Sequence, residues 1–360
     1  MAIGTATRTP WWAWAWPALA AVLLALQLIW HIGGWFAALE AFALIAAVFA
    51  AVYHAEVIAH RVGEPFGSLV LAMAVTVIEV ALIVSVMIKG GSETSELARD
   101  TVFAAVMIVC NGIVGLCLLA GGMRHREQGF QLQGANAALA VLIPLTMLTM
   151  VFPNVTVTTP GPTFSEPQLA FAAVVSLILY FSFLFVQTVR HRDYFLPVGA
   201  ADEHCAPPPN SVAWTSAGLL LVSLVAVVGL AKALTPILEE GIARAGAPKS
   251  VVGIVIAGIV LLPEGLASFR AARANRLQIS MNLALGSVLA TIGLTIPSVA
   301  AVSILLHKPL TLGLMPKEIV LLITTQLVSL LTLGTGRTTV LQGIVHLVLF
   351  ATFLFLAVVP

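Results

Sequence analysis

The chain has 360 residues, of which 60% are hydrophobic and 9% charged, and its formal net charge is +1. A soluble domain carries about 25% charged residues, and a chain this poor in charge would expose large apolar patches in water. The composition therefore excludes a soluble protein, and the near-neutral charge offers no footing for nucleic acid or an acidic partner. The bilayer is the solvent that suits it. Cys110, Cys117 and Cys205 form no CxxC pair and no even framework, so neither a disulfide nor a zinc site is expected, and no resident cofactor.

A membrane span needs about 20 apolar residues. Runs of that kind fall at 11–30, 34–57, 66–88, 101–121, 135–152, 167–189, 212–234, 249–272, 280–303, 314–333 and 339–359, eleven in all. The first opens on Trp11-Trp12-Ala13-Trp14-Ala15-Trp16, an interfacial signature, and lacks a small-residue cleavage site, so it is expected to be a retained helix rather than a signal peptide. The second contains Glu40 near one end and His54, Glu56 and His60 at the other. Those histidines are six residues apart, about 240° around a helix, and should diverge rather than share a metal. The third carries Thr76 and Glu79. The segment 89–100, with Glu93, Glu96 and Asp100, reads as a solvated charge run that could attract cations. Asn111 sits in the middle of the fourth span. The loop 153–167 has no basic residue, and the break at 191–211 divides the chain. The eighth span holds Pro263 and Glu264, the ninth Ser287 and Thr291, and the eleventh a lone His346 that reads as a packing residue.

Lysine and arginine set orientation. With the N-terminus in the cytoplasm, the inside segments hold Arg8, Arg61, Arg124, Arg126, Arg190, Arg192, Arg270, Arg273, Arg276 and Arg337. The outside segments hold Lys89, Arg99, Lys232, Arg244, Lys249, Lys308 and Lys317. The dense arginine clusters all fall inside, which places the C-terminus outside.

Gly67 to Glu79 and Val252 to Glu264 align without gaps, with Val70/Val255, Ala72/Ala257, Val75/Val260 and Glu79/Glu264 identical. A shared glutamate means more than shared valines. The two lie on the third and eighth spans, an odd number of spans apart, so the copies run in opposite directions. Inverted repeats of this kind build secondary transporters with an ion site near the midplane. The expected architecture is an all-α membrane protein: a leading helix (1–33), a first five-helix half (34–190), a cytoplasmic linker (191–211) and a second five-helix half (212–360).

An ionised carboxylate at the bilayer centre costs about 3 kcal/mol or more, and no lysine or arginine lies in the apolar body of either glutamate helix. Glu79 and Glu264 are thus the candidate cation and proton ligands, and the candidate metal ligands. Thr76 and Ser268 stand on the same helical faces as the two glutamates. Pro263 lacks an N–H and should free the carbonyl of Ile259. Asn111, Ser287 and, less directly, Thr291 and Glu40 complete the candidate set. Carboxylate, amide and hydroxyl oxygens suit hard cations such as Ca²⁺. A low-dielectric surrounding disfavours the charged carboxylate, so the same groups can take protons when the cation leaves. A channel, and an intramembrane enzyme, are the alternatives. The enzyme lacks an H-E-x-x-H motif, and the three aspartates Asp100, Asp193 and Asp202 lie in or beside loops. No P-loop supports ATP coupling.

The chain resembles the calcium:cation antiporter superfamily, and most closely its bacterial calcium(sodium, potassium)/proton branch. Gly63-Glu-Pro-Phe-Gly-Ser-Leu, Val-Thr-Val-Ile-Glu79, Pro263-Glu264-Gly265, and Asn275-Arg-Leu-Gln-Ile-Ser280 through Ala-Leu-Gly-Ser287 carry the likeness. The resemblance implies eleven helices in two inverted repeats, an essential acidic residue in each (Glu79 and Glu264), and cation/proton exchange. Calcium/proton exchangers carry Gly-Asn-Ala-Thr/Ala-Glu in each repeat, whereas this chain has Val75-Thr-Val-Ile-Glu79 and Val260-Leu-Leu-Pro-Glu264. Both asparagines are replaced, by Thr76 and Leu261, which leaves Na⁺ and K⁺ beside Ca²⁺ as possible cargo. The expected partners are the transported cation, protons and membrane lipid, in the inner membrane of a bacterium.

Overall fold

A computed structural model of the chain describes residues 9–30, 35–63, 66–89, 95–196, 208–246, 248 and 250–359. Glu64, Pro65, Glu93 and Cys205, and the linker at 197–207, lie outside the described residues. The described residues form eleven helices: α1 (Trp11–Trp30), α2 (Phe36–Val62), α3 (Phe66–Lys89), α4 (Leu97–His125), α5 (Leu132–Asn154), α6 (Glu166–Arg190), α7 (Asn210–Arg244), α8 (Ser250–Arg273), α9 (Leu277–Leu306), α10 (Pro316–Leu333) and α11 (Val340–Val358). Ten of these are long and apolar enough to cross a membrane, and α3 adds a shorter apolar stretch, Met73–Ser85. The chain is an all-α integral membrane protein, as its composition implies.

Helix ends follow local chemistry. Gly63, at φ 77°, stops α2 in a conformation that side chains resist. Capping boxes start α6 and α11: Gln168 Oε1 accepts from the Ser165 N–H at 3.0 Å, and Gln342 Oε1 from the Thr339 N–H at 2.9 Å. The main departure from the sequence-derived spans is α7, which runs ten residues past the expected end at 234. Its extension carries the exposed Glu239, Glu240 and Arg244, which a helix end in the interfacial region tolerates.

The chain divides into two compact units: one of Met1–Ser85 with Ala200–Ala245, the other of Val86–Gly199 with Gly246–Pro360. Compactness thus groups α7 with α1, α2 and most of α3, and cuts across the two sequence halves. In the first unit α1 and α2 are antiparallel: the His54 Nε2–H at the end of α2 donates to the Ala13 carbonyl at the start of α1, 2.8 Å away. His54 is fully buried and His60 exposed, so the two histidines diverge as the helical spacing predicts.

The second unit has two faces. On one, Gln128–Gly129 (β1) pairs antiparallel with Arg337–Thr338 (β2). Gln128 Nε2 also donates to Ala272 O and Asn275 Oδ1, at 2.9 and 3.0 Å. Asn275 turns the tight α8–α9 corner in the left-handed region (φ 60°). On the other, the Thr311 N–H donates to Ser95 O, Gly313 N–H to Pro162 O and Leu314 N–H to Met150 O. Chain ends sorted to these faces show that α4 and α9, α5 and α10, and α6 and α11 run in opposite directions. These are the pairs that an inverted repeat makes equivalent. The arginine-bearing corners at 124–126, 270–276 and 337 share the first face, as the charge distribution requires.

The segment around Asp100 differs from the sequence expectation. α4 begins at Leu97, so Arg99 and Asp100 belong to its first turn and are largely buried rather than solvated. Arg99 Nε and Nη2 both reach Asp100 Oδ1, at 2.9 and 2.8 Å, and Nη2 reaches Glu96 Oε2 at 3.1 Å.

α4 and α11 touch at backbone distance. A Cβ placed on Gly122 would lie 2.8 Å from Val340 N, and one on Gly343 would overlap Leu119 backbone. Small residues permit such approach between membrane helices. The Gly343→Ala variant is expected to lose about 1–3 kcal/mol through this overlap. Thermal unfolding of the detergent-solubilised protein checks it, against Gly286→Ala, whose Cβ would meet nothing within 4 Å.

Candidate cation and proton site

α8 passes through Pro263 without breaking, although the missing N–H leaves the Ile259 carbonyl without its helical donor. Glu264 follows directly and is 7% exposed. The Ser287 hydroxyl on α9 donates to Glu264 Oε2 at 2.9 Å, so the structure brings these two candidates together. Ser268 lies one turn further along α8, fully buried, and its hydroxyl oxygen has no hydrogen-bond partner. Thr291, also buried, is one turn beyond Ser287 on α9.

In the first unit, Glu79 on α3 is 4% exposed and Thr76, one turn earlier, 5%. Glu40 on α2 is fully buried. The glutamates of both repeats are therefore withdrawn from solvent.

Asn111, a candidate ligand, is engaged by two neighbouring helices. Its Nδ2 donates to Thr325 Oγ1 on α10 at 2.8 Å, and its Oδ1 accepts from His346 Nδ1 on α11 at 3.1 Å. His346 Nε2 in turn meets Thr332 Oγ1 at 3.1 Å. The amide is thus taken up in joining α4, α10 and α11, because a buried amide must satisfy both ends. His346 is correspondingly a polar link rather than a packing residue. Gln326 extends the polar interior by donating to Thr146 Oγ1 on α5. These groups escaped the sequence reading, although the signal existed. Thr325, Gln326, Ser329 and Thr332 recur at helical spacing and all are buried, so α10 turns its polar stripe inward, with Leu327, Leu330 and Leu331 outward.

Asn111 lies in a π-helical turn, Ile108–Ile113, and Thr291 opens another, Thr291–Thr295; two more lie at Met147–Val151 and Val186–Arg190. The first two occupy α4 and α9, the helices that follow each glutamate helix. One residue too many per turn is a local cost that recurs at functional sites. The first turn also abuts the glutamate helix: a Cβ on Gly265, next to Glu264, would lie 3.1 Å from Ile113 Cδ1. Among the described residues, no three His, Cys, Asp or Glu side chains gather as a metal-binding group.

Comparison with known proteins agrees with this arrangement. The chain is 50% identical to a protein of Sinorhizobium fredii assigned as an ionic transporter, y4hA, over 98% of this chain and 97% of that one. It is 36% identical to the sodium-potassium/proton antiporter ChaA of Escherichia coli, over 86% of this chain and 85% of that one. Its fold matches the crystal structure of the H⁺/Ca²⁺ exchanger CAX with a TM-score of 0.73 at 16% identity, covering 95% of this chain and 87% of the other. Residues 32–189 and 215–359 match the sodium/calcium exchanger protein family, nearly the two halves that the sequence repeat delimits. With eleven described helices, oppositely directed helix pairs and a glutamate in each half, the chain belongs to the sodium/calcium exchanger protein family and is a membrane cation transporter rather than an enzyme.

Proposed function

We propose that the protein is a secondary cation/proton antiporter of a bacterial inner membrane, with its N-terminus in the cytoplasm, that expels a cation as protons enter. Glu79 and Glu264 take up cation or proton in competition, and alternating access carries them between the two sides. The observation that supports this most is Glu264: a carboxylate buried within a bilayer-spanning helix that accepts the Ser287 hydroxyl at 2.9 Å.

Two carboxylates would neutralise Ca²⁺, but Ca²⁺ takes six to eight oxygens, and both repeat asparagines are absent. The oxygen-poor setting favours Na⁺ and K⁺ as cargo, with Ca²⁺ carried less well. The sodium-potassium/proton exchange named for the Escherichia coli relative agrees.

Everted vesicles energised to an acid interior test this reading. Adding Na⁺ or K⁺ is expected to dissipate the pH gradient in vesicles containing the protein and not in those lacking it, with Ca²⁺ weaker. A response to Ca²⁺ alone would reverse the assignment of cargo. Flux that continues with no counter-ion would make the protein a channel.

A further inference from the structure

Glu40 stands apart from the two repeat glutamates. It lies on α2, is 0% exposed, and neither Oε1 nor Oε2 has a hydrogen-bond partner. A buried ionised carboxylate without a donor is among the most costly groups a protein can hold. A bound proton removes that cost, because it cancels the charge and turns one oxygen into a donor.

The α1–α2 register supplies the acceptor. The contact between Ala13 and His54 fixes the antiparallel alignment of the two helices. The step from Ala13 to Gln27 along α1 equals the step from Glu40 to His54 along α2, about four turns or ~21 Å. Gln27 is therefore placed at the level of Glu40. Its amide oxygen is likewise buried and without a donor. Two unsatisfied acceptors, the Glu40 carboxylate and the Gln27 amide oxygen, thus stand at one level, and a proton on the carboxyl turns one of them into a donor for the other.

The charged surroundings leave Glu40 to itself. α1 carries no titratable side chain from Trp11 to Trp30. On α7, the ionisable residues Lys232, Glu239, Glu240 and Arg244 are all exposed, and Glu240 pairs with Arg244. On α2 itself, Tyr53, His54, Glu56, His60 and Arg61 lie towards the opposite end of the helix. Among the described residues, the other buried carboxyl of this unit is Glu79 on α3.

We propose that Glu40 is a proton site of the transporter, separate from Glu79 and Glu264: it holds a proton as a carboxylic acid directed at Gln27 and releases it to water during the cycle. Occupancy of this site adds a proton to each exchange that the two repeat carboxylates do not account for.

Infrared spectroscopy of the full chain in proteoliposomes tests it without requiring transport. The carbonyl band of a protonated carboxyl at neutral pH is expected to disappear in Glu40→Gln, to persist in Glu40→Asp, and to shift in Gln27→Leu. Adding saturating Na⁺, K⁺ or Ca²⁺ should diminish the band in the wild type. The ratio of proton to cation flux in Glu40→Gln should fall by one proton. A spectrum unchanged by Glu40→Gln overturns the site. A band indifferent to all three cations, with an unchanged flux ratio, overturns its part in exchange. A band unmoved in Gln27→Leu removes Gln27 from the site. Because the band is read at rest, absence of any cation-driven flux would count against the antiport reading and not against Glu40.

Discussion

Glu264→Gln is expected to abolish cation-driven proton flux while leaving the fold intact. Glutamine has nearly the same shape, and its Oε1 can still accept the Ser287 hydroxyl, so the α8–α9 contact survives. What disappears is the ability to be either charged or protonated, and with it any competition between cation and proton. Glu79→Gln, at the equivalent place of the first repeat, should have the same outcome. Glu264→Asp keeps the charge but is one methylene shorter, which lengthens the 2.9 Å bond to Ser287, so flux should be reduced and measurable. Ser287→Ala removes one hydrogen bond to a charged group, worth about 1.5–3 kcal/mol, and should weaken apparent cation affinity about tenfold or more. Flux in everted vesicles, with folding monitored by thermal melting, separates these outcomes. Normal exchange in both glutamine variants would sink the two-carboxylate mechanism.

Arg99→Ala is expected to destabilise the second unit strongly. The guanidinium grips Asp100 through two nitrogens, reaches Glu96, and approaches the Gly313 carbonyl ahead of α10 at 3.4 Å. Asp100 is only 12% exposed, so deleting its partner strands a charge in a dry place. Breaking a buried pair from one side costs about 3–5 kcal/mol. Glu96, half exposed, contributes little, and Glu96→Ala is the matched control. Arg99→Lys retains the charge but not the two-pronged contact and should fall between them. Thermal unfolding in detergent ranks the three; equal melting of Arg99→Ala and Glu96→Ala would show that the pair contributes nothing.

Much of the fold was legible in the sequence because the bilayer imposes a length on every span. The ends of α2, α6, α10 and α11 lie within a few residues of the apolar runs, since Gly63, Ser165 and Thr339 mark them chemically. α7 overran its prediction because hydropathy stops at the membrane, whereas backbone hydrogen bonding does not. Glu79 and Glu264 were legible because an acidic residue in an apolar run is rare. The partners of Asn111 were not: the amide announces that it needs partners, but Thr325 and His346 lie far away in sequence, and only packing selects them. Arg99 and Asp100 were misplaced for a related reason, because their charges argue for water and only their mutual contact permits burial.

The π-helical turn at Ile108–Ile113 also decides where this chain can change length. The widened turn takes up one extra residue without turning the helix that follows. Removing one residue there would restore regular α-helical winding and leave Gly115 and Gly122 facing α11. A deletion in the regular stretch Val114–His125 has no such slack: it would rotate everything beyond it by about 100° and swing Gly122 away from Val340. Tolerance to a change of length is therefore concentrated in the turn around Asn111, and the glycine seam beyond it is locked to its own spacing.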